Sequence, residues 1–312
     1  MIINFASDCS GIDAPAIALK KLGIGYNYIF ASEIDKKLYN YINIKYKPQY
    51  IFDNILTRNH KKLPKNIIDL YVAGFPCPSF SSASAIHEGF ESDRGQIFFH
   101  VYDTIKHTQP NCFILENVKG LITHDKGETF KKIKNYLSKL NNYTVYYEII
   151  NSKYFTPQNR VRIYIIGVKH SFINKKYKLN FDDYNKTQKH IKSIIDKNIT
   201  YKDTLSNNKK KLLQEVINKK NINTNDYWII NLNTSHVNYA TALLNLSPTI
   251  LTSSQMYYIT KLKRFLTIKE LQKLQGLQTV NLEPFTKTEK YKIIGNSITV
   301  NVLMYIIKKI LL

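Results

Sequence analysis

The sequence predicts an α/β fold, a mostly parallel sheet covered by helices, accompanied by a smaller irregular module. Three observations carry that expectation. Apolar runs of strand length alternate strictly with stretches of helical period through the first half of the chain. After about residue 169 that alternation decays into Lys- and Asn-rich sequence, and order returns near Arg264. The 312 residues are enough for one large core and one lesser core.

Taken in order, "IINFAS" reads as a strand, "APAIALKKL" as a helix, "YNYIFASE" as a strand and "DKKLYNYINIKY" as a helix. "IIDLYVAG" is a continuous apolar run, the mark of a strand buried on both faces, and "GQIFFHVYDTIKH" is the helix after it. "NCFILENV" is the next strand, followed by a helix with Phe130, Ile133, Leu137 and Leu140 on one face. "YTVYYEII" and "VRIYIIGV" close the sheet. Such alternation places ligands at the carboxyl ends of the strands. From His170 to Asn225 there are 13 lysines against five acids and no convincing periodicity, which leaves a solvated loop-rich insertion and a nucleic-acid-contacting module equally open. "TIKELQKLQGL" begins with a capping box, Thr267 with Glu270, and Gly276 stands where the helix stops. "GNSITVNVLMYIIKKILL" is a turn feeding a final amphipathic helix.

Composition narrows the partners. Lys and Arg total 45 against 23 acids, a net charge of +22 whose sign attracts a polyanion, so nucleic acid leads and a membrane surface is the rival. Abundant Asn, Lys, Ile and Tyr also fit an AT-rich coding sequence, so the charge is support rather than proof. The three cysteines, Cys9, Cys77 and Cys112, form no CxxC or Cys/His spacing, which indicates neither a metal site nor a disulfide framework. Reduced thiols and the lack of a basic, apolar leader in "MIINFASDCS" fit an intracellular protein, and two lysines interrupt the terminal apolar stretch.

Three features bear chemistry. Cys77 sits between two prolines where a buried strand becomes a loop, a backbone fixed on both sides that suits an aimed nucleophile. Cys9 and Cys112 keep the ordinary reading of small buried hydrophobes. Glu116 ends the strand "NCFILE", and a carboxylate there beside apolar neighbours is poised for a raised pKa and a general-acid role; alone it would read as a capping carboxylate. "CSGIDAP" lies between strand and helix with a single glycine, short of GxGxxG, but Glu33 ends the next strand 22 residues after Gly11, where an acid can accept hydrogen bonds from the ribose hydroxyls of a nucleoside cofactor.

Six segments together resemble one family. "GFPCPSFS", "FESDRGQIFF", "ENV" at 116 to 118, "QNRVRIY" at 158 to 164, "RFLTIKELQKLQGL" at 264 to 277 and "GNSITVNV" at 295 to 302 occur in the order seen in the C5-cytosine DNA methyltransferases. The resemblance covers roughly residues 1 to 168 and 247 to 312. It implies a Rossmann-like S-adenosylmethionine-dependent methyltransferase fold. Residues 1–168 and 260–312 would form the catalytic domain, and the Lys-rich region 169–259 the target-recognition domain.

The resemblance also implies roles. Cys77 matches the nucleophile that adds to carbon 6 of cytosine, Glu116 the acid at N3 and the exocyclic amine, and Arg162 the arginine at the ring oxygen, with Arg160 as a second support. Cys9, Ser10, Gly11, Ile12, Asp13 and Ala14 match the cofactor turn, although the usual Phe-Ala-Gly-x-Gly-Gly is here missing its aromatic and two glycines. Glu33 would bind the ribose, Ile34 cover the adenine, Asp53 take its amine, and Pro76, Asn296 and Ser297 complete the pocket. Phe75, Ser79, Ser81, Asn117, Gln158 and Thr249 would border the base or its strand, and "SSASAIHEGFESDRG" would close over a base swung out of the duplex. The expected partner is double-stranded DNA, met by a monomer with no membrane and no metal, with a cognate restriction endonuclease possible. A transfer-RNA cytosine methyltransferase and a non-catalytic DNA-binding homologue are the alternatives. An exocyclic-amine methyltransferase would need an Asn- or Asp-Pro-Pro-aromatic motif, which the sequence lacks.

Overall fold

A computed structural model describes residues 1–76, 93–172, 179–253 and 256–312. Cys77, Ser79, Ser81 and most of the expected lid lie outside the described residues. The chain divides into two compact units: Met1–Ile150, Val161–Asp183 and Leu303–Leu312 form the first, Asn151–Arg160 and Tyr184–Val302 the second.

The first unit is built on a seven-stranded sheet in the order β3-β2-β1-β4-β5-β7-β6. Its strands are β1 (Ile2–Asp8), β2 (Gly25–Ser32), β3 (Tyr50–Phe52), β4 (Leu70–Ala73), β5 (Cys112–Val118), β6 (Tyr143–Asn151) and β7 (Val161–Lys169). β1 to β5 pair in parallel and β7 runs antiparallel to β5, so the expected mostly parallel sheet is observed. Helices α1 (Ala14–Lys21), α2 (Lys36–Lys45), α3 (Asp93–Thr108) and α4 (Glu128–Leu137) fall where the helical period placed them. Tyr71, Phe113, Leu115, Ile163 and Ile165 share one core with Phe98, Val101 and Ile105 of α3 and Ile133 and Leu137 of α4. The alternate residues Leu70, Val72, Cys112, Ile114 and Ile166 are buried as well, so the sheet is covered on both faces, as its unbroken apolar runs require.

The second unit carries a four-stranded sheet, order β11-β10-β8-β9, made of β8 (Trp228–Asn231), β9 (Ala242–Leu244), β10 (Tyr257–Ile259) and β11 (Arg264–Phe265), all antiparallel. Helix α5 (Asn207–Lys219) corrects the reading of 170–225 as aperiodic. Its Leu212 and Val216 are buried against Ile230, Leu232 and Tyr258, with Leu213 and Ile217 packed beside them. This i, i+4 face was obscured by the surrounding lysines, which occupy the solvated side. Helix α6 (Ile268–Gln275) has the expected capping box and ends at Gly276 with φ 74°, a left-handed stop. Helices α7 (Lys287–Asn296), with a second capping box from Thr286 and Glu289, and α8 (Val300–Leu311) complete the chain. The stretch Lys287–Leu311 is long and apolar enough to cross a membrane by length and hydropathy alone, but 67% of its most apolar window is buried, as for a core helix.

Candidate active site

The cofactor turn leaves the carboxyl end of β1. Three alternate positions shape it: Cys9 (φ 51°), Gly11 (φ 58°) and Asp13 (φ 65°) all take left-handed backbone. Aspartate tolerates that region better than most side chains because it bonds locally, and Asp13 Oδ1 accepts the Ala16 N–H at 3.3 Å as the N-cap of α1. The Gly11 N–H donates to Glu33 Oε2 at 2.7 Å and the Asp35 N–H to Glu33 Oε1 at 2.9 Å, so the acid at the end of β2 fastens the turn to its own loop. A side chain at Gly11 would meet nothing within 4 Å, which leaves the backbone face open to a ligand. Ile34 beside it is 73% exposed, and Asp53 is exposed just after β3. An open glycine face, a carboxylate and an exposed apolar side chain fit a nucleoside cofactor.

Beneath the turn lie residues that the motif comparison did not single out. Asp8 and Arg58, both with fully buried side chains, pair through two contacts of 2.6 and 2.7 Å. Ser32 and Tyr71 also donate to Asp8, at 2.6 and 2.7 Å. Burial alone would raise the Asp8 pKa, but the Arg58 charge and these hydrogen bonds outweigh it and hold the carboxyl below its usual range. Burial, with the Asp8 and Glu33 charges, pushes the Cys9 thiol well up, so Cys9 stays a neutral thiol. A charged residue closing an otherwise apolar strand, as Asp8 does in "IINFASD", was the available signal for a buried ion pair.

Glu116 and Arg162 are brought together by sheet register. β5 and β7 pair Glu116 with Tyr164 and Val118 with Arg162, so Glu116 and Arg162 are diagonal neighbours on one face at the carboxyl end of β5. Arg162 Nε stands 3.2 Å from Glu116 Oε1, with the two side chains only 14% and 10% exposed. The next residue, Asn117, is buried and donates from Nδ2 to the Phe75 carbonyl at 3.2 Å, while its Oδ1 accepts the Val118 N–H at 2.8 Å. Asn117 thereby ties the end of β5 to the chain two residues before Cys77. Phe75 is buried against Phe98, with ring centroids 5.9 Å apart, and Pro76 is partly buried.

The remaining motif residues are knotted inside the second unit. Gln158 is fully buried; its Nε2 donates to the Leu274 carbonyl and Gln275 Oε1, both at 3.2 Å, and its Oε1 accepts the Ile250 N–H at 3.0 Å. Arg160 donates to the carbonyls of Ile250 and Ser297, at 3.4 and 3.1 Å. Gln275 donates to the Ile294 and Ser297 carbonyls and accepts from Thr299. Thr249 donates to the Asn159 carbonyl at 2.6 Å. Ser297 is buried and Asn296 is exposed at the end of α7. Gln275 was passed over by sequence reasoning because a glutamine inside an amphipathic helix normally reads as solvated.

With this geometry in view, residues 3–312 match the C-5 cytosine-specific DNA methylases. The chain belongs to that family. It is a DNA (cytosine-5-)-methyltransferase, and the family depends on S-adenosylmethionine. The methyltransferase is 34% identical over 292 residues to the type II methyltransferase M.SsoII of Shigella sonnei, an alignment covering 91% of this chain and 74% of that one. It is 37% identical over 244 residues to the orphan methyltransferase M.SPRI of Bacillus phage SPR, covering 73% of this chain and 54% of the phage protein. The Entamoeba histolytica methyltransferase EhMeth superposes with a TM-score of 0.70 at 16% identity over 99% of this chain and 98% of that one, a likeness of fold alone.

Proposed function

We propose that this methyltransferase acts on cytosine in double-stranded DNA through a covalent adduct between Cys77 and carbon 6 of the base. The observation that carries the reading is the Glu116–Arg162 pair: a carboxyl and a guanidinium side by side, at 3.2 Å and largely withdrawn from water, match the adjacent N3 and O2 positions of a pyrimidine. Protonated Glu116 gives its proton to N3 and accepts from the exocyclic amine, while Arg162 donates to O2. Electron withdrawal at N3 opens carbon 6 to the Cys77 thiolate, and the electron pair reaches carbon 5. S-adenosylmethionine, when bound, supplies the methyl electrophile. Loss of the carbon 5 proton then expels Cys77 and restores the ring. Free thiols titrate near about 8.5, so cationic neighbours would favour the thiolate.

Asn117 is a positioning residue here, setting the Phe75–Cys77 segment relative to Glu116. Arg160, Gln158 and Thr249 enter as supports whose side chains hold backbone, which orders the segments around them. In the same reading Cys9–Ala14, Glu33, Ile34 and Asp53 hold the cofactor, Pro76, Asn296 and Ser297 border it, and Ser79 and Ser81 contact the base or its strand. Residues 169–259 recognise the target from their Lys-rich surface, and 1–168 with 260–312 do the chemistry. Bacterial and phage relatives support an intracellular protein, working either beside a cognate endonuclease, as a type II enzyme would, or alone. The experiment is methyl transfer from labelled S-adenosylmethionine to duplex DNA and to transfer RNA offered together. Label recovered as 5-methylcytosine in the duplex is expected; label in RNA alone would refute the substrate.

A further inference from the structure

One lysine of the basic region is taken up inside the second unit. Lys209, in the first turn of α5, is partly buried, and its Nζ donates to the carbonyls of Leu232 and Thr234, at 2.6 and 2.8 Å. Both carbonyls belong to residues 232–241, the connection from β8 to β9. At the far end of α5, Lys219 donates to the Asn238 side-chain oxygen of the same connection. Lys209, Leu212, Val216 and Lys219 follow at intervals of three, four and three residues and so form one stripe along the helix. Its two apolar members share a core with Leu232, Val237 and Ala240. The two lysines stand about 15 Å apart along the axis at 1.5 Å per residue, so α5 splints the connection at both ends.

A splint matters here because the connection is long. Hairpin loops usually span about two to five residues, whereas residues 232–241 lie wholly outside the strands. A connection of that length loses ordering entropy on meeting a partner unless something orders it beforehand. Its surface suits nucleic acid: Ser235, His236, Asn238 and Tyr239 are exposed, Tyr239 at 78%, and no residue from 232 to 241 is acidic.

We propose that Lys209 is a positioning residue for target binding, its ammonium group ordering residues 232–241 through the Leu232 and Thr234 carbonyls instead of meeting a DNA phosphate. The inference rests on the reading of residues 169–259 as the target-recognition region. Two properties set this role apart. A lysine on a phosphate displaces a counterion, so its removal lowers the slope of log affinity against log salt by about 0.9. A lysine already bonded to two carbonyls displaces none, and its removal weakens binding alike at every salt concentration. The role also differs from a purely structural one, because Leu212 and Val216 seat α5 on its core without Lys209, so the loss falls on DNA binding.

The test is duplex-DNA binding and steady-state methylation by the full chain between about 50 and 200 mM salt, with S-adenosylmethionine binding and thermal melting measured alongside. Lys209→Met should raise KM for DNA about tenfold, while kcat, cofactor affinity and the salt slope stay as in wild type. Lys209→Arg keeps donors for both carbonyls and should recover most of the loss. An unchanged KM in Lys209→Met, a salt slope reduced by about one, or an equal loss in Lys209→Arg would overturn the inference. If the wild type binds no duplex DNA, the target-recognition reading itself falls and the inference falls with it.

Discussion

Two carboxylate–guanidinium pairs in the first unit contrast sharply. Asp8 and Arg58 meet through two short contacts, Ser32 and Tyr71 add hydrogen bonds to the carboxylate, and Arg58 donates a further one to Thr104. The Arg58 guanidinium also lies over the rings of Phe30 and Phe52, 5.0 and 5.2 Å from their centroids. Glu116 and Arg162 share one 3.2 Å contact at the sheet's carboxyl edge and retain some exposure. A pair with both side chains fully buried is locked, because parting it strands a buried charge. A pair joined once, at an edge, can exchange its partner for a ligand. The difference separates scaffold from site more clearly than residue type does.

The largest effect expected from this contrast is on catalysis. Glu116→Gln should cut methyl transfer by roughly 10²- to 10⁴-fold, as removal of a general acid does, with DNA affinity retained. Equal losses in transfer and gel-shift binding would make Glu116 part of the scaffold. Arg58→Met should do the reverse and lower unfolding stability by about 3–5 kcal/mol in denaturant melts, because Asp8 is left buried without its partner. A variant as stable as wild type would break the contrast. The Asp8 carboxyl is held below the ordinary carboxylate range, so its stabilisation is fully present above the unfolded-state value and is lost as pH falls through the folded-state pKa. Acid unfolding should therefore lose part of its slope in Asp8→Asn.

Arg160 and Arg162, two residues apart, sharpen the same point. Arg160→Ala takes away the side-chain donor to the Ile250 carbonyl and one of two donors to the Ser297 carbonyl, and should lower stability by about 1–3 kcal/mol. Arg162→Ala should leave the melting temperature nearly unchanged while reducing kcat/KM for DNA. Interchanged outcomes would assign the functional role to Arg160. The smallest effect is local: Thr286→Ala removes the cap of α7 and should cost about 1 kcal/mol, without altering kcat.

Much of this arrangement was legible in sequence because it follows from local rules. Alternating apolar periods marked β1, β2, β4 to β7 and α1 to α4, while the three-residue β3 was too short to show one, and Thr267 with Glu270 and Gly276 marked both ends of α6. The small sheet was not legible: its strands are two to four residues long, too short for a period of two to stand out. Helix α5 hid its four apolar residues among lysines. At the site, Glu116 and Arg162 were found through motif order, but their adjacency depends on the β5–β7 register. Gln158, Arg160 and Asp13 show the limit most plainly. Their partners lie far along the chain or across strands, at Ile250, Leu274, Ser297 and Tyr28, and no local pattern announces such hydrogen bonds.

The most direct measurement is trapping on duplex DNA carrying 5-fluorocytosine, whose fluorine cannot leave carbon 5 as a proton does. With S-adenosylmethionine present, the wild-type chain should form a denaturation-resistant protein–DNA species, and Cys77→Ser should form none. An undiminished adduct in Cys77→Ser would place the nucleophile elsewhere and contradict the account.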